Sequence, residues 1–230
     1  MSVLNSMSNP KSYTDQRAKI AKDAAFVYAM NKRADGINNL DTYSDQGDNP
    51  FVRNEYHDKA IEYLHSIDTE VLGPDDISNF IQNASFMNNW QHRAEELIYY
   101  CQAYDLLLGS GIAQDTIIED KIAVLANDLL QQYSKMEEIG KIFIARNNHK
   151  LVIAGALGIA ALTLNQNQSA TKWISAAMIL IEWVLFHSED YTDDGYHQIN
   201  ADGGYGEGPN YMRYAFRKLI PFFVGMKNFN

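Results

Sequence analysis

An all-α fold built of helical hairpins is what this sequence predicts, on three observations. Apolar residues recur at i, i+3, i+4 and i+7 through long stretches, and no stretch alternates apolar and polar residues as a half-buried strand would. Leu151–Leu164 and Trp173–Phe186 are apolar on nearly every face, as helices inside a core are. Both fall short of the about 20 residues that cross a bilayer, so they predict buried helices and no membrane partner.

In order, Thr14 to about Lys32 spaces alanines and larger apolar residues at helical period behind a capping Thr14 or Asp15. Residues 33–50 are polar and turn-rich, which predicts a loop. A second amphipathic helix is expected from about Phe51 to Ile67, and Gly73-Pro74-Asp75-Asp76 breaks the chain after it. Phe86 to Arg93 enters a helix that runs to about Leu108, with Ala94, Leu97, Ile98, Cys101, Tyr104, Leu107 and Leu108 inward and Gly109 and Gly111 ending it. Asp115 to about Tyr133 follows with Ile117, Ile118, Ile122, Leu125, Leu129 and Leu130 inward. Then come a small-residue helix from Lys150 to Leu164, one from Ala170 to Phe186, and a last one beginning at Pro209. Seven helices, no strand and no linker point to a single domain of concentric or stacked hairpins over residues 1–230.

Composition narrows function. The formal net charge is -10 without a cluster of Lys and Arg, which argues against nucleic acid as a partner. It leaves room for an anionic ligand held at a locally positive place. A single cysteine, Cys101, cannot form an internal disulfide. Residues 1–16 lack the basic and apolar regions of a signal peptide, so either the protein is cytoplasmic or the sequence is a piece of something longer. No nucleophile elbow, phosphate loop or zinc spacing occurs. Asp190-x-Thr192-x-Asp194-Gly195 opens like a calcium loop, but Ala201 stands where that loop needs its bidentate Glu, so no metal site is assigned.

Two clusters carry chemistry. Arg146, Asn147, Asn148 and His149 stand at a helix start, where free N–H groups and the dipole favour an anion, although an asparagine cap with an exposed histidine has the same pattern. The glycine-rich turn Asp202–Pro209 carries Tyr205 and Glu207 into a helix bearing Tyr211 and Tyr214, which are i, i+3 neighbours. Packing against a neighbouring helix would use the same tyrosines. Upstream, Trp90, Gln91 and Arg93 suit sugar subsites, an indole stacking on a pyranose and the polar groups reaching hydroxyls and carboxylates, or else Trp90 belongs to the core.

Three blocks in order resemble a known family. They are Trp90-Gln91-His92-Arg93-Ala94-Glu95-Glu96-Leu97 running to Ala103-Tyr104-Asp105-Leu106-Leu107, then Asn147-Asn148-His149 opening an Ala/Gly-rich helix. The third is Asp202-Gly203-Gly204 with Glu207-Gly208-Pro209-Asn210-Tyr211. Over roughly residues 80–220 the chain resembles the heparinase II/III-like and alginate-lyase polysaccharide lyases. The resemblance implies an incomplete α/α toroid of antiparallel helical hairpins, like that of chondroitin AC and alginate lyases. It implies β-elimination on an anionic, uronate-containing polysaccharide without a cofactor, in the periplasm or outside the cell. Asn148 and His149 would neutralise the uronate carboxylate and Tyr211 would act as acid or as acid and base. Trp90, Gln91, Arg93, Arg146, Asn147, Tyr205, Glu207 and Tyr214 would contact substrate. The family usually continues into further helices and a C-terminal β-sandwich, so a longer parent chain is expected. The alternatives are an α/α-barrel glycoside hydrolase pairing Glu207 with Asp194 or Asp202, with carboxyls about 5 to 9.5 Å apart, and a carbohydrate-binding helical domain without catalysis.

Overall fold

The structure is a computed structural model that describes residues 14–36, 50–69, 84–138, 148–186, 204–206 and 208–228. Among these residues it is all-helical: α1 Thr14–Gly36, α2 Pro50–His65, α3 Ala84–Gly109, α4 Thr116–Glu138, α5 Asn148–Thr163, α6 Ala170–Phe186 and α7 Pro209–Asn228. Every expected helix is present, but Ile117, expected inward, is 55% exposed in the first turn of α4, before the helix meets the core at Ile118. α1 and α4 run a few mostly polar residues past the ends that their apolar periodicity indicates, and α3 starts two residues before Phe86. No helix among the described residues is long and apolar enough to cross a membrane. The chain forms two compact units, Met1–Asp68 with Tyr99–Ile122, and Thr69–Ile98 with Ala123–Asn230.

In the first unit α1 packs on α2 through small residues. Ala18, Ala21, Ala24 and Ala25 are fully buried on α1, and Tyr56, Ala60, Tyr63 and Leu64 are buried on α2. The C-terminal part of α3 adds Cys101, Tyr104 and Leu107 to this core. α3 stops by a Schellman arrangement: Ile112 N–H donates to the Leu107 carbonyl at 3.1 Å and Gly111 N–H to Leu108 at 2.8 Å. That closure needs the left-handed backbone that Gly111 adopts at φ 81°.

The ends of α2 and α4 are tied to each other. Asp115 caps α4, accepting from Ile117 N–H at 3.0 Å and Ile118 N–H at 3.3 Å, while its other oxygen meets His65 Nε2 at 2.7 Å. Lys121 Nζ donates to the carbonyls of His65 at 2.6 Å and Ile67 at 3.1 Å, satisfying the open end of α2. Beneath them Tyr104 Oη accepts from Asp115 N–H at 2.8 Å and donates to Glu119 at 2.9 Å. Burial first, then the Glu119 carboxylate, pushes the Tyr104 phenol up to about 12 against the opposing pull of the Asp115 N–H.

The second unit is organised around α5, which is buried from Leu151 to Ala161. α6 returns across α5 after the short 164–169 connection, where the Asn167 side chain accepts from Ser169 N–H at 2.9 Å. Its Trp173 is fully buried and donates Nε1 to Asn127 Oδ1 at 3.0 Å. α7 packs against α5 so closely that three glycines at the contact have no room for a Cβ. A Cβ on Gly155 would stand 2.7 Å from the Lys218 carbonyl oxygen, one on Gly158 2.5 Å from the Phe222 ring, and one on Gly225 2.5 Å from Leu162 Cδ1.

Two outcomes follow from these contacts. Gly155→Ala meets backbone that cannot move aside and should destabilise the protein by about 2 to 3 kcal/mol in urea denaturation. Gly109→Ala, with nothing within 4 Å, should be neutral or stabilising by about 0.5 kcal/mol. The His65 hydrogen bond, followed by the Ile118 and Ile117 N–H groups, holds the Asp115 carboxyl below its ordinary 3.8. A lowered folded value gives stability that is complete above 3.8 and lost as pH falls through the folded value. Asp115→Ala should therefore cost about 1 kcal/mol at neutral pH, and the gap to wild type should narrow in denaturation curves taken at progressively lower pH.

Candidate functional site

α7 begins where a glycine turn sets it. Gly208 N–H donates to the Tyr205 carbonyl at 2.8 Å, closing a four-residue turn, and the Gly208 carbonyl accepts the first helical bond from Met212 N–H at 3.1 Å. Gly208 has φ 87°, which its missing Cβ permits, and Pro209 takes the first helical position, where no N–H is needed. Tyr205 is buried and lies edge-on to Phe216, with ring centroids 6.4 Å apart and planes at 74°. It anchors the turn to the side of α7.

The glycine contacts fix the direction and register of α5 against α7. Gly155 meets Lys218 and Leu219, Gly158 meets Phe222, and Leu162 meets Gly225. Residue numbers rise together on both helices, so the helices run parallel. Seven residues make about two turns and return to nearly the same face. One such step back from Gly155 and Lys218 arrives at Asn148 and Tyr211, the first turn of each helix.

That register explains an otherwise odd exposure. Tyr211 shares its side of α7 with buried Ala215, Lys218, Leu219 and Phe222, yet it is 54% exposed. It lies in the first turn of α7, at the axial level where α5 starts. Asn148 is buried there, with 2% of its surface exposed, and His149 is half-buried. Lys150, also buried, places Nζ 4.3 Å from the Trp183 ring centroid on α6, a cation–π contact that replaces part of its lost hydration.

α3 joins α7 through polar side chains. Glu95 Oε1 accepts from Tyr214 Oη at 2.6 Å and from Lys218 Nζ at 3.1 Å, with 7% of the Lys218 side chain and 13% of that of Glu95 exposed. Gln91 Nε2 also donates to the Tyr214 hydroxyl. The pairs Gln91 with Tyr214 and Glu95 with Lys218 advance four residues on each helix in the same sense, so this part of α3 also runs parallel to α7. α3, α5 and α7 therefore present their N-termini at one end of the second unit, each carrying about half a positive charge from its aligned peptide dipoles.

The candidate residues divide accordingly. The register brings Asn148 and His149 level with Tyr211, while Gln91 and Tyr214 are joined to each other one turn further along α7. Arg93 is turned inward, bonded to Glu96 at 3.1 Å with side-chain exposures of 9% and 2%, so its guanidinium supports α3. Tyr205 anchors the turn. Arg146, Asn147 and Glu207 lie outside the described residues, as does the side chain of Trp90 and the acidic stretch containing Asp194 and Asp202. No group of three or more His, Cys, Asp or Glu side chains that could hold a metal ion forms among the described residues.

Glu95, Lys218 and the two α5 glycines are site-building residues that periodicity alone does not single out. The available signal was the i, i+4 spacing of Gln91 and Glu95 and of Tyr214 and Lys218, two ladders of equal pitch. Breaking one partner of the buried Arg93–Glu96 pair should be costly: Arg93→Met is expected to lose about 3 kcal/mol or more. Thermal unfolding of that variant beside Arg93→Met/Glu96→Leu, which should recover part of the loss, checks this. Neither a known protein family nor a curated protein nor a solved structure matches this chain.

Proposed function

We propose that this chain is the toroid portion of a polysaccharide lyase that cleaves a uronate polymer by β-elimination. The observation that carries the reading is the register that sets Tyr211, exposed on a core-facing side of α7, level with the α5 N-terminus bearing Asn148 and His149. The shared orientation of α3, α5 and α7 supports an anionic substrate. It also supports the toroid, in which helices of one direction alternate with returning helices such as α6.

The chemistry asks three things of the site. The uronate carboxylate must lose charge so that the C5 proton becomes acidic; a base must take that proton; and O4 must leave with one. In this reading the α5 N-terminus and His149 receive the carboxylate, with buried Asn148 behind them. Tyr211 takes or gives the proton as the C5–H and C4–O4 bonds break and the C4=C5 double bond forms. Gln91 and Tyr214 border the polymer path only beyond their mutual bond, and Arg93 is placed in the supporting layer. The same reading expects a β-sandwich elsewhere in the parent chain and residence in the periplasm or outside the cell.

The natural full-length protein, incubated with alginate, heparan-type and other polyuronates, should generate the absorbance of unsaturated sugar ends. Tyr211→Phe should lower turnover at least about 100-fold, keep polymer binding, and leave stability within about 0.5 kcal/mol of wild type because the ring is exposed. No unsaturated ends with any polyuronate would overturn the proposal.

A further inference from the structure

We infer that Glu95 is a positioning residue for Tyr211, acting through Tyr214 and Lys218 to fix the rotation of α7; this rests on the lyase reading above. Tyr211 is 54% exposed, so neighbouring side chains enclose little of its ring, and its direction follows the helix that carries it. Two sets of contacts orient that helix. The glycine contacts at Gly155 and Gly158 set how near α7 approaches α5. A closely fitting backbone groove still tolerates small rotation about the helix axis, whereas directional hydrogen bonds do not.

The directional bonds come from α3. Tyr211, Tyr214 and Lys218 are spaced i, i+3 and i+7, so they lie along one side of α7. A single oxygen of Glu95 takes the Tyr214 hydroxyl at 2.6 Å and the Lys218 ammonium at 3.1 Å, one turn apart, and Gln91 supports the same hydroxyl. A carboxylate with so little exposed surface depends on both donors staying in place, because leaving it unpaired there is costly. Rotation of α7 by one residue position, about 100°, would break both bonds and carry Tyr211 away from the α5 start. Tyr214 is itself committed on both sides of its oxygen, which suits a brace and leaves proton transfer to Tyr211.

The test is Glu95→Gln in the natural protein, which keeps an acceptor for Tyr214 and removes the charge that holds Lys218. Tyr214→Phe removes the other arm and leaves the ion pair. Each is read by the 19F resonance of a fluorotyrosine placed at position 211 and by kcat and KM on the polyuronate the wild type cleaves. The expected result is a shifted or split resonance in both variants, with kcat reduced about 10- to 100-fold and KM within about twofold. An unshifted resonance in either folded variant overturns the inference, whatever the kinetics. A shifted resonance in a protein whose wild type forms no unsaturated ends supports the positioning role and rejects the lyase reading, so the two failures are separable. Should Glu95→Gln fail to fold, the Tyr214→Phe resonance alone decides in the same way.

Discussion

The close approach of α5 to α7 is the constraint on which the second unit depends. Two helix backbones come this near only where one side presents no side chain, and Gly155 and Gly158 supply that along one side of α5, with Gly225 doing the same for Leu162 on α7. Once the grooves are fitted, direction and register are no longer free. The parallel run follows, and with it the alignment of the first turn of α5 with the first turn of α7. α5 accepts this arrangement because it is apolar on almost every face and gains from being covered on all of them. α7 contributes its buried side and leaves Arg213, Arg217, Ile220 and Val224 outward.

Polar contacts then refine what packing has established. Glu95 draws Tyr214 and Lys218 to one oxygen, Lys150 sits on the Trp183 ring, and Arg93 is bonded to Glu96. Each is a charge with little exposed surface, and each costs desolvation that its partner offsets only in the folded geometry. Such groups contribute less to net stability than to the choice of one arrangement over near alternatives. In the first unit a comparable division holds: alanines let α1 approach α2, and the His65, Asp115, Lys121 and Tyr104 contacts decide where α2 stops and α4 starts.

Local physics made the helices legible. Periodic apolar residues mark all seven, Gly111 marks the end of α3 through the left-handed backbone it adopts, and Pro209 marks the start of α7. The helix ends were less legible, since α3 starts at Ala84, ahead of the Phe86 at which the apolar spacing begins. Arg93 read as a candidate sugar contact because a sequence gives no hint that Glu96, three residues on, would be buried with it. The meeting of Gln91 with Tyr214 was not legible either, since periodicity tells which face of a helix is inward and not which helix it meets. For the site, Asn148, His149 and Tyr211 were legible as residue types at helix starts, whereas their shared level comes from a small-residue helix whose partner helix the sequence does not name.

The most direct measurement is a crystal structure of the natural full-length protein, carrying Tyr211→Phe to prevent turnover, with a short oligouronate bound. The account predicts a uronate carboxylate at the α5 N-terminus within hydrogen-bond reach of His149, and the ring of residue 211 beside C5 of the same sugar. An oligouronate bound away from that end of the unit, or one whose sugar at position 211 turns its carboxylate away from α5, would contradict it.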